Sequence, residues 1–299
     1  MKAFYTDIFV LPLPPGHRFP MTKYARLRQR VQVNGTAELC VPDAATDVQL
    51  LRCHDFDYLE RVKKGDLTAS EQRRIGFPWS PEMVERSRRS TGATIAACET
   101  ALQDGIAANL AGGTHHACSD HGEGFCVFND AAVAAREMQA RNLARRVVII
   151  DCDVHQGNGT AQVTAGDDTI FTFSIHGEKN FPHRKYPSDL DIGLPDGTTD
   201  DVYLSMVEEG VRRALFLSGA DLAIYQTGAD PFIGDRLGKL AISKAGLAAR
   251  DHMVLTMLRD AGLPVAVTMG GGYAENIDDI VDIHFQTICI AADMLGIRE

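Results

Sequence analysis

The stretch Asp151-Cys152-Asp153-Val154-His155-Gln156-Gly157-Asn158-Gly159-Thr160 directly follows the apolar run Val147-Val148-Ile149-Ile150. Four β-branched residues between Arg145-Arg146 and a turn-rich segment read as a strand buried on both faces. Where that strand leaves the sheet, two carboxylates and an imidazole occupy alternate positions. In extended backbone, residues i, i+2 and i+4 project to the same side. Asp151, Asp153 and His155 can therefore converge at the carboxyl end of a strand, where open α/β sheets place their ligands. Oxygen and nitrogen donors in that number suit a divalent metal with an open coordination position. The plainer alternative is that the acids cap the following helix and His155 lies on the surface.

Outward from this stretch the chain alternates strands and helices. Upstream, residues 2–9 read as a first strand, followed by a proline-rich turn segment from Leu11 to Pro20 and short helices at 22–32 and 55–64. Ser80-Pro81-Glu82 starts a longer helix, with Ser80 as N-cap, proline in the first turn and an acid at the positive dipole end. It extends to about Gln103, with Gly92 a point of interruption. A strand at 106–111 ends in Gly112-Gly113-Thr114-His115-His116, and a helix of small residues at 129–141 leads to the strand at 146–151. Downstream, strands at 169–175, 221–226 and 264–269 alternate with helices at 200–217, 243–261 and 275–295. That alternation predicts an α/β fold, one parallel sheet with helices on both faces. With no repeat and no composition break, residues 1–299 read as a single domain.

Composition excludes several classes. The chain has 299 residues, 45% of them hydrophobic, and no apolar run of the roughly 20 residues needed to cross a bilayer. The short apolar segment from Ile8 to Leu13 is broken by prolines and is not a secretory pattern. Seven cysteines, an odd number with no Cys-x-x-Cys pair, argue against a disulfide framework and for a reducing, cytoplasmic setting. A net charge of −10 disfavours direct nucleic-acid or membrane binding. It could suit a cationic substrate such as a lysine-rich peptide or a polyamine, but solubility alone is the favoured account and charge by itself decides little.

Each polar cluster sits just after an expected strand: His115-His116, Asp151/Asp153/His155, Asp230 and Tyr273. In a parallel sheet all strands end on one edge, so these clusters meet there. At this point the residues resemble a known family. Gly112 to Ala117, Gly124 to Asp130, Asp151 to Thr160, Gly228-Ala229-Asp230 and Gly270-Gly271-Gly272-Tyr273 are similar, in order and spacing, to the motifs of zinc-dependent histone deacetylases and acetylpolyamine amidohydrolases. Asp235 to Ser243 and the compact length resemble the class IV branch and its bacterial relatives.

The resemblance implies an arginase/deacetylase-like fold and a zinc-dependent hydrolase that removes an acetyl or longer acyl group from an amine, foremost acyl-lysine in proteins. It implies one Zn²⁺ per chain on Asp153, His155 and Asp230. It makes His116 the acid/base, His115 its electrostatic support, Asp151 and Asn158 the partners of His115 and His116, and Tyr273 the donor to the oxyanion. Gly124, Phe125, Phe181, Leu237 and Gly271 become substrate-channel residues. Asp151 and Ser174 become donors to a monovalent cation such as K⁺. An amide at Asn158, where some members have aspartate, should raise the His116 pKa less than a carboxylate would. His17 and Arg18 are placed near the channel rim, with exposed-loop filler the equal alternative. Glu123 and Asp120 lie near the channel motif without forming a clear acidic gate for polyamines.

Two rivals are weighed. A two-metal ureohydrolase of the arginase type needs Asp-x-His-x-Asp, but here the third position is Gly157, which offers no ligand. A non-catalytic acyl-lysine reader should have lost a ligand, the histidine pair or Tyr273, and all are present. A phosphate-cradling role for glycines 270–272 fails on spacing, since neither Gly-x-Gly-x-x-Gly nor a following lysine occurs.

Overall fold

A computed structural model describes residues 1–295; positions 296–299 of the expected 1–299 domain lie outside the described residues. In chain order the elements are β1 (Lys2–Phe4), α1 (Thr22–Asn34), β2 (Glu38–Cys40), α2 (Asp47–Leu50), α3 (Phe56–Lys64), α4 (Ala69–Ile75), α5 (Pro81–Asp104), β3 (Ile106–Asn109) and α6 (Asp130–Ala140). They continue with β4 (Val147–Asp151), α7 (Asn158–Thr164), β5 (Ile170–Gly177), β6 (Leu190–Leu194), α8 (Asp200–Ser218), β7 (Leu222–Gly228), α9 (Lys244–Asp260), β8 (Val265–Gly270) and α10 (Ile277–Asp293). The eight strands form one sheet, in the order β2-β1-β3-β8-β7-β4-β5-β6, and every pairing is parallel.

Alternation along β4 shows how the sheet is buried. Val148 and Ile150 belong to a core with α8, α9, α10 and the Leu27–Val31 face of α1, whereas Val147 and Ile149 join α5 and α6 in a second core. Period-two side chains thus feed opposite faces, and helices cover both, as expected from the apolar run. Helix α5 starts where Ser80 predicts: its hydroxyl accepts the Met83 N–H, with Pro81 in the first turn. It does not break at Gly92. A Cβ there would lie 1.9 Å from the Asp43 carbonyl oxygen, so the glycine admits a passing loop rather than ending the helix.

Other boundaries differ. The first strand stops at Phe4, and Ile8 and Val10 are exposed. β3 ends at Asn109, whose side chain turns back to accept the Ala111 N–H and donate to Ser90 O. β5 runs on to Gly177. The short elements β2, β6, α2, α4 and α7 carry too few residues for a periodic signal.

Beneath the sheet's carboxyl edge, α9 ties two strand ends together. Arg250, fully buried, donates from Nη1 to Gly228 O at 2.7 Å and reaches Cys152 O at 3.4 Å. It pairs with Asp251 at 2.8 Å, which also accepts the Tyr225 hydroxyl at 2.7 Å. Replacing Arg250 with methionine leaves a buried carboxylate without its cation. A loss of roughly 3–5 kcal/mol is expected, read as a lower denaturant midpoint.

Candidate active site

The central strands β3, β8, β7 and β4 are neighbours, so the segments after them crowd together although they lie far apart in sequence. Asp153, His155 and Asp230 are all buried, and their donor atoms lie within 4.8 Å of one another, a geometry able to hold a metal ion. His155 Nδ1 is 2.9 Å from Asp153 Oδ1 and 3.2 Å from Asp230 Oδ2. Asp230 Oδ1 accepts the Val154 N–H, whereas its Oδ2 is buried with no hydrogen-bond partner. Burial and the neighbouring Asp153 both raise the Asp230 pKa. At His155 burial opposes charge, yet the two carboxylates outweigh it and raise the pKa to about 10. Two desolvated carboxylates and an orphaned oxygen demand a cation, and the O,O,N donor set fits a divalent metal such as zinc.

Glycines make this density possible. A Cβ on Gly271 would fall 2.0 Å from Asp230 Oδ2, and one on Gly270 3.0 Å from Asp153 Oδ2. Gly271 also has φ +57°, the left-handed region. The loop after β8 therefore lies directly on the carboxylates and presents Tyr273 beside them. Asp235 holds that loop, accepting the Tyr273 N–H at 2.6 Å while Arg236 Nε donates to Tyr273 O at 2.9 Å. Burial and then Asp230 raise the Tyr273 pKa well above 10, so its hydroxyl stays protonated.

The two histidine rings lie 4.1 Å apart between centroids with their planes tilted by 48°, and their tautomers follow from their partners. His115 Nδ1 donates to Asp151 Oδ2 at 2.6 Å, and the Gln226 amide lies 2.8 Å from the same nitrogen. Burial alone would lower the His115 pKa, but Asp151 and Asp153 outweigh it and hold the ring at about 9. A Cβ on Gly157 would sit 2.5 Å from Asp151 Oδ2, so this position offers no room beside the pair.

His116 is held differently. Asn158 Nδ2 donates to Glu123 Oε1 at 2.6 Å, which turns the amide oxygen toward His116 Nδ1, also at 2.6 Å. A carboxylate can only accept, so the chain of bonds places the proton on Nδ1 and leaves the Nε2 lone pair free. Burial, reinforced by the neighbouring imidazoles, lowers the His116 pKa well below 6.5. The ring is poised as a neutral base.

A cavity of about 470 Å³ opens over these groups. Its wall includes Gly124, Phe125, Phe181, Leu237, Gly271 and Tyr273. The Phe181 ring stands nearly perpendicular to His116 at 4.9 Å. Phe125 has φ +67°, unusual for an aromatic and a site of stored backbone strain. Arg18 lines the mouth, with its guanidinium 5.3 Å from the Phe125 centroid. His17 does not line the cavity: its ring bonds to Gly76 O at 2.9 Å and so turns away from the rim. Asp120 pairs with His121, also away from the cavity. Ser174 lies beside Asp151 in the β4–β5 register, and its hydroxyl is 3.0 Å from His176 Nδ1.

Three contributors, Gln226, Arg250 and Lys23, carry no legible sequence signal: Gln226 lies within a strand and Arg250 mid-helix. Asp235 opens the stretch that resembles the class IV branch, but its hold on backbone N–H groups is not legible there. Lys23, buried on α1, donates Nζ to the carbonyls of Gly271 and Gly272 and holds the glycine loop from behind. Glu123 reads only as an acid near the channel; its link to Asn158 appears once α7 is folded against the loop.

The parallel sheet and a buried cluster able to hold a metal ion are compatible with a deacetylase, and the comparisons give the family. The histone deacetylase domain matches residues 17–288, so the chain belongs to the histone deacetylase family. A histone deacetylase-like amidohydrolase of Pseudomonas aeruginosa is 30% identical, over 96% of this chain and 79% of that protein. Histone deacetylase 2 of Arabidopsis thaliana is 29% identical, over 90% of this chain and 73% of that one. A histone deacetylase homologue from Aquifex aeolicus superposes with a TM-score of 0.84 at 23% identity, over 100% of this chain and 84% of its own, a likeness of fold. Membership supports deacetylase or amidohydrolase activity.

Proposed function

We propose that this protein is a one-zinc deacylase that hydrolyses the amide of acyl-lysine side chains in proteins, removing acetyl or longer acyl groups. The observation that carries the reading is the meeting of the buried Asp153/His155/Asp230 cluster, the His115–His116 pair and Tyr273 at the base of one cavity. Asp153, His155 and Asp230 would hold a zinc ion, which would supply Lewis-acid polarisation of the acyl carbonyl and lower the pKa of a water. His116 Nε2 accepts the proton of the attacking water and returns it to the departing amine. His115, held by Asp151, supplies positive charge beside it. The Tyr273 hydroxyl donates to the oxygen that gains negative charge. Phe125 and Phe181 flank the alkyl chain of the substrate, and the Gly124 carbonyl accepts its amide N–H. Asp151 and Ser174, neighbours in the β4–β5 register, would supply oxygens to a monovalent cation such as K⁺.

The test is turnover by metal-loaded protein on matched acetyl-lysine peptides, longer acyl-lysine peptides and acetylpolyamines. Hydrolysis of acyl-lysine peptides supports the reading. Inactivity on every substrate with the metal still bound removes it, and a preference for acetylpolyamines replaces it with the small-molecule alternative. The resemblance of Asp235 to Ser243 to the class IV branch is the reason to include longer chains. Tyr273→Phe is expected to lower kcat by about 10²–10³ with little change in KM, as the loss of one oxyanion donor does. A kcat within a few-fold of the parent takes Tyr273 out of that role.

A further inference from the structure

The mouth of the cavity has the opposite sign to the rest of the protein. The chain carries 40 acidic and 30 basic residues. Around the opening, however, Arg18, Arg73, Arg74, Lys179 and Lys239 all line the wall and are exposed. None of the five makes an ion pair among the described residues: Arg18 lies over the Phe125 ring, and Lys239 donates only to the Lys179 carbonyl. The only acids in the wall are Asp153, within the metal cluster, and Glu123, bound to Asn158. The cations come from four separate segments: the proline-rich loop, α4, the segment after β5 and the loop after β7.

We propose that this basic mouth selects acyl-lysine presented by an acidic peptide segment, a specificity that rests on the deacylase reading. A cleft lined by one sign of charge concentrates field lines and draws in ligands of the opposite sign. Screening in physiological salt sets in beyond about 8–10 Å. An extended peptide advances about 3.3–3.6 Å per residue. The cations therefore act on the two or three residues on each side of the inserted lysine. Carboxylates there meet unpaired arginine and lysine side chains. Lysines or arginines there, or the free ammonium groups of a polyamine, meet five like charges, with Glu123 the one acid in the wall outside the metal cluster. The overall charge of −10 points to a cationic ligand, but its sign is not that of the surface a ligand crosses.

The experiment gives the metal-loaded protein three peptide substrates with the same acyl-lysine and the two residues on either side set to Asp/Glu, Ser/Gln or Lys/Arg. The expected kcat/KM for the acidic peptide exceeds that for the basic one by about tenfold or more at low ionic strength, chiefly through KM. The ratio should shrink as salt is added. In R73Q/R74Q the acidic-to-basic ratio should fall toward one. A flat or reversed order, or a ratio insensitive to both salt and R73Q/R74Q, overturns the proposal. A small N-acyl amine bearing one carboxylate serves as a further arm, and its outperforming every peptide overturns the assignment to peptides. Fluorescence anisotropy of the labelled peptides reads the same order without turnover. If none is cleaved but binding ranks acidic over neutral over basic, the deacylase reading fails and the charge preference stands. If the neutral peptide is cleaved and the order is flat, the reverse holds.

Discussion

Asp230→Asn is expected to abolish turnover and divalent-metal binding together while leaving the metal-free fold at least as stable as the parent. Asparagine matches aspartate in shape, and its oxygen can still accept the Val154 N–H that Asp230 Oδ1 receives at 3.0 Å. The change removes a fully buried charge whose pKa burial and Asp153 push upward. That upward push means the carboxylate is destabilised where it sits, so the apo protein carries a cost that a bound cation offsets. Function and apo stability should therefore move in opposite directions, as at sites held under electrostatic strain. Metal content by atomic spectroscopy, a denaturation midpoint and kcat/KM on an acyl-lysine peptide read the three effects. The parent should bind one catalytic divalent ion per chain. Two tightly bound catalytic ions would contradict the role given to Gly157, where a side chain would lie 2.5 Å from Asp151 Oδ2. An Asp230→Asn variant that retains the ion and the activity removes Asp230 from the ligand set.

The alternation around Val147 to Ile150 made the parallel sheet legible because a both-sides-buried strand has an unmistakable composition. Clusters placed after strands were legible for the same reason, since a parallel sheet leaves only one edge for them. Edge strands such as β2 and β6 were not, because three to five half-exposed residues carry no run and no period. At the site, the acids, histidines and tyrosine that follow strands stood out by type and position, and the resemblance separated their expected roles, whereas the residues that hold backbone groups did not stand out. Lys23 and Arg250 act on backbone carbonyls, and any backbone offers a carbonyl, so no sequence pattern accompanies them. Gly92 misled because the same lack of a side chain that weakens a helix also admits a neighbouring loop. Net charge has the same ambiguity, being a sum over a surface on which the cavity mouth is the exception.

His116→Ala is expected to lower kcat by about 10²–10⁴, the usual worth of a positioned acid/base, with metal content retained. The distinctive part of the argument lies behind the ring. Asn158 reaches His116 with its oxygen because Glu123 takes its nitrogen, both at 2.6 Å. The amide thus fixes the tautomer without setting a full negative charge against the imidazole, which burial keeps well below 6.5. The base form therefore persists into mildly acidic solution, and the acid limb of kcat/KM should lie below the ordinary imidazole range. Aspartate at 158 is a poor substitute here, because it would set a second carboxylate a hydrogen-bond distance from Glu123. Asn158→Asp alone should lower kcat, since the two carboxylates either separate and release His116 or share a proton. Glu123→Gln combined with Asn158→Asp restores a donor opposite the new carboxylate. The double variant should recover much of the rate, with its acid limb moved to higher pH because a charged partner now stabilises the imidazolium. Recovery in the double variant is the signature of coupling between 123 and 158. If the two effects simply add, Glu123 is a neighbour of the base and does not position it.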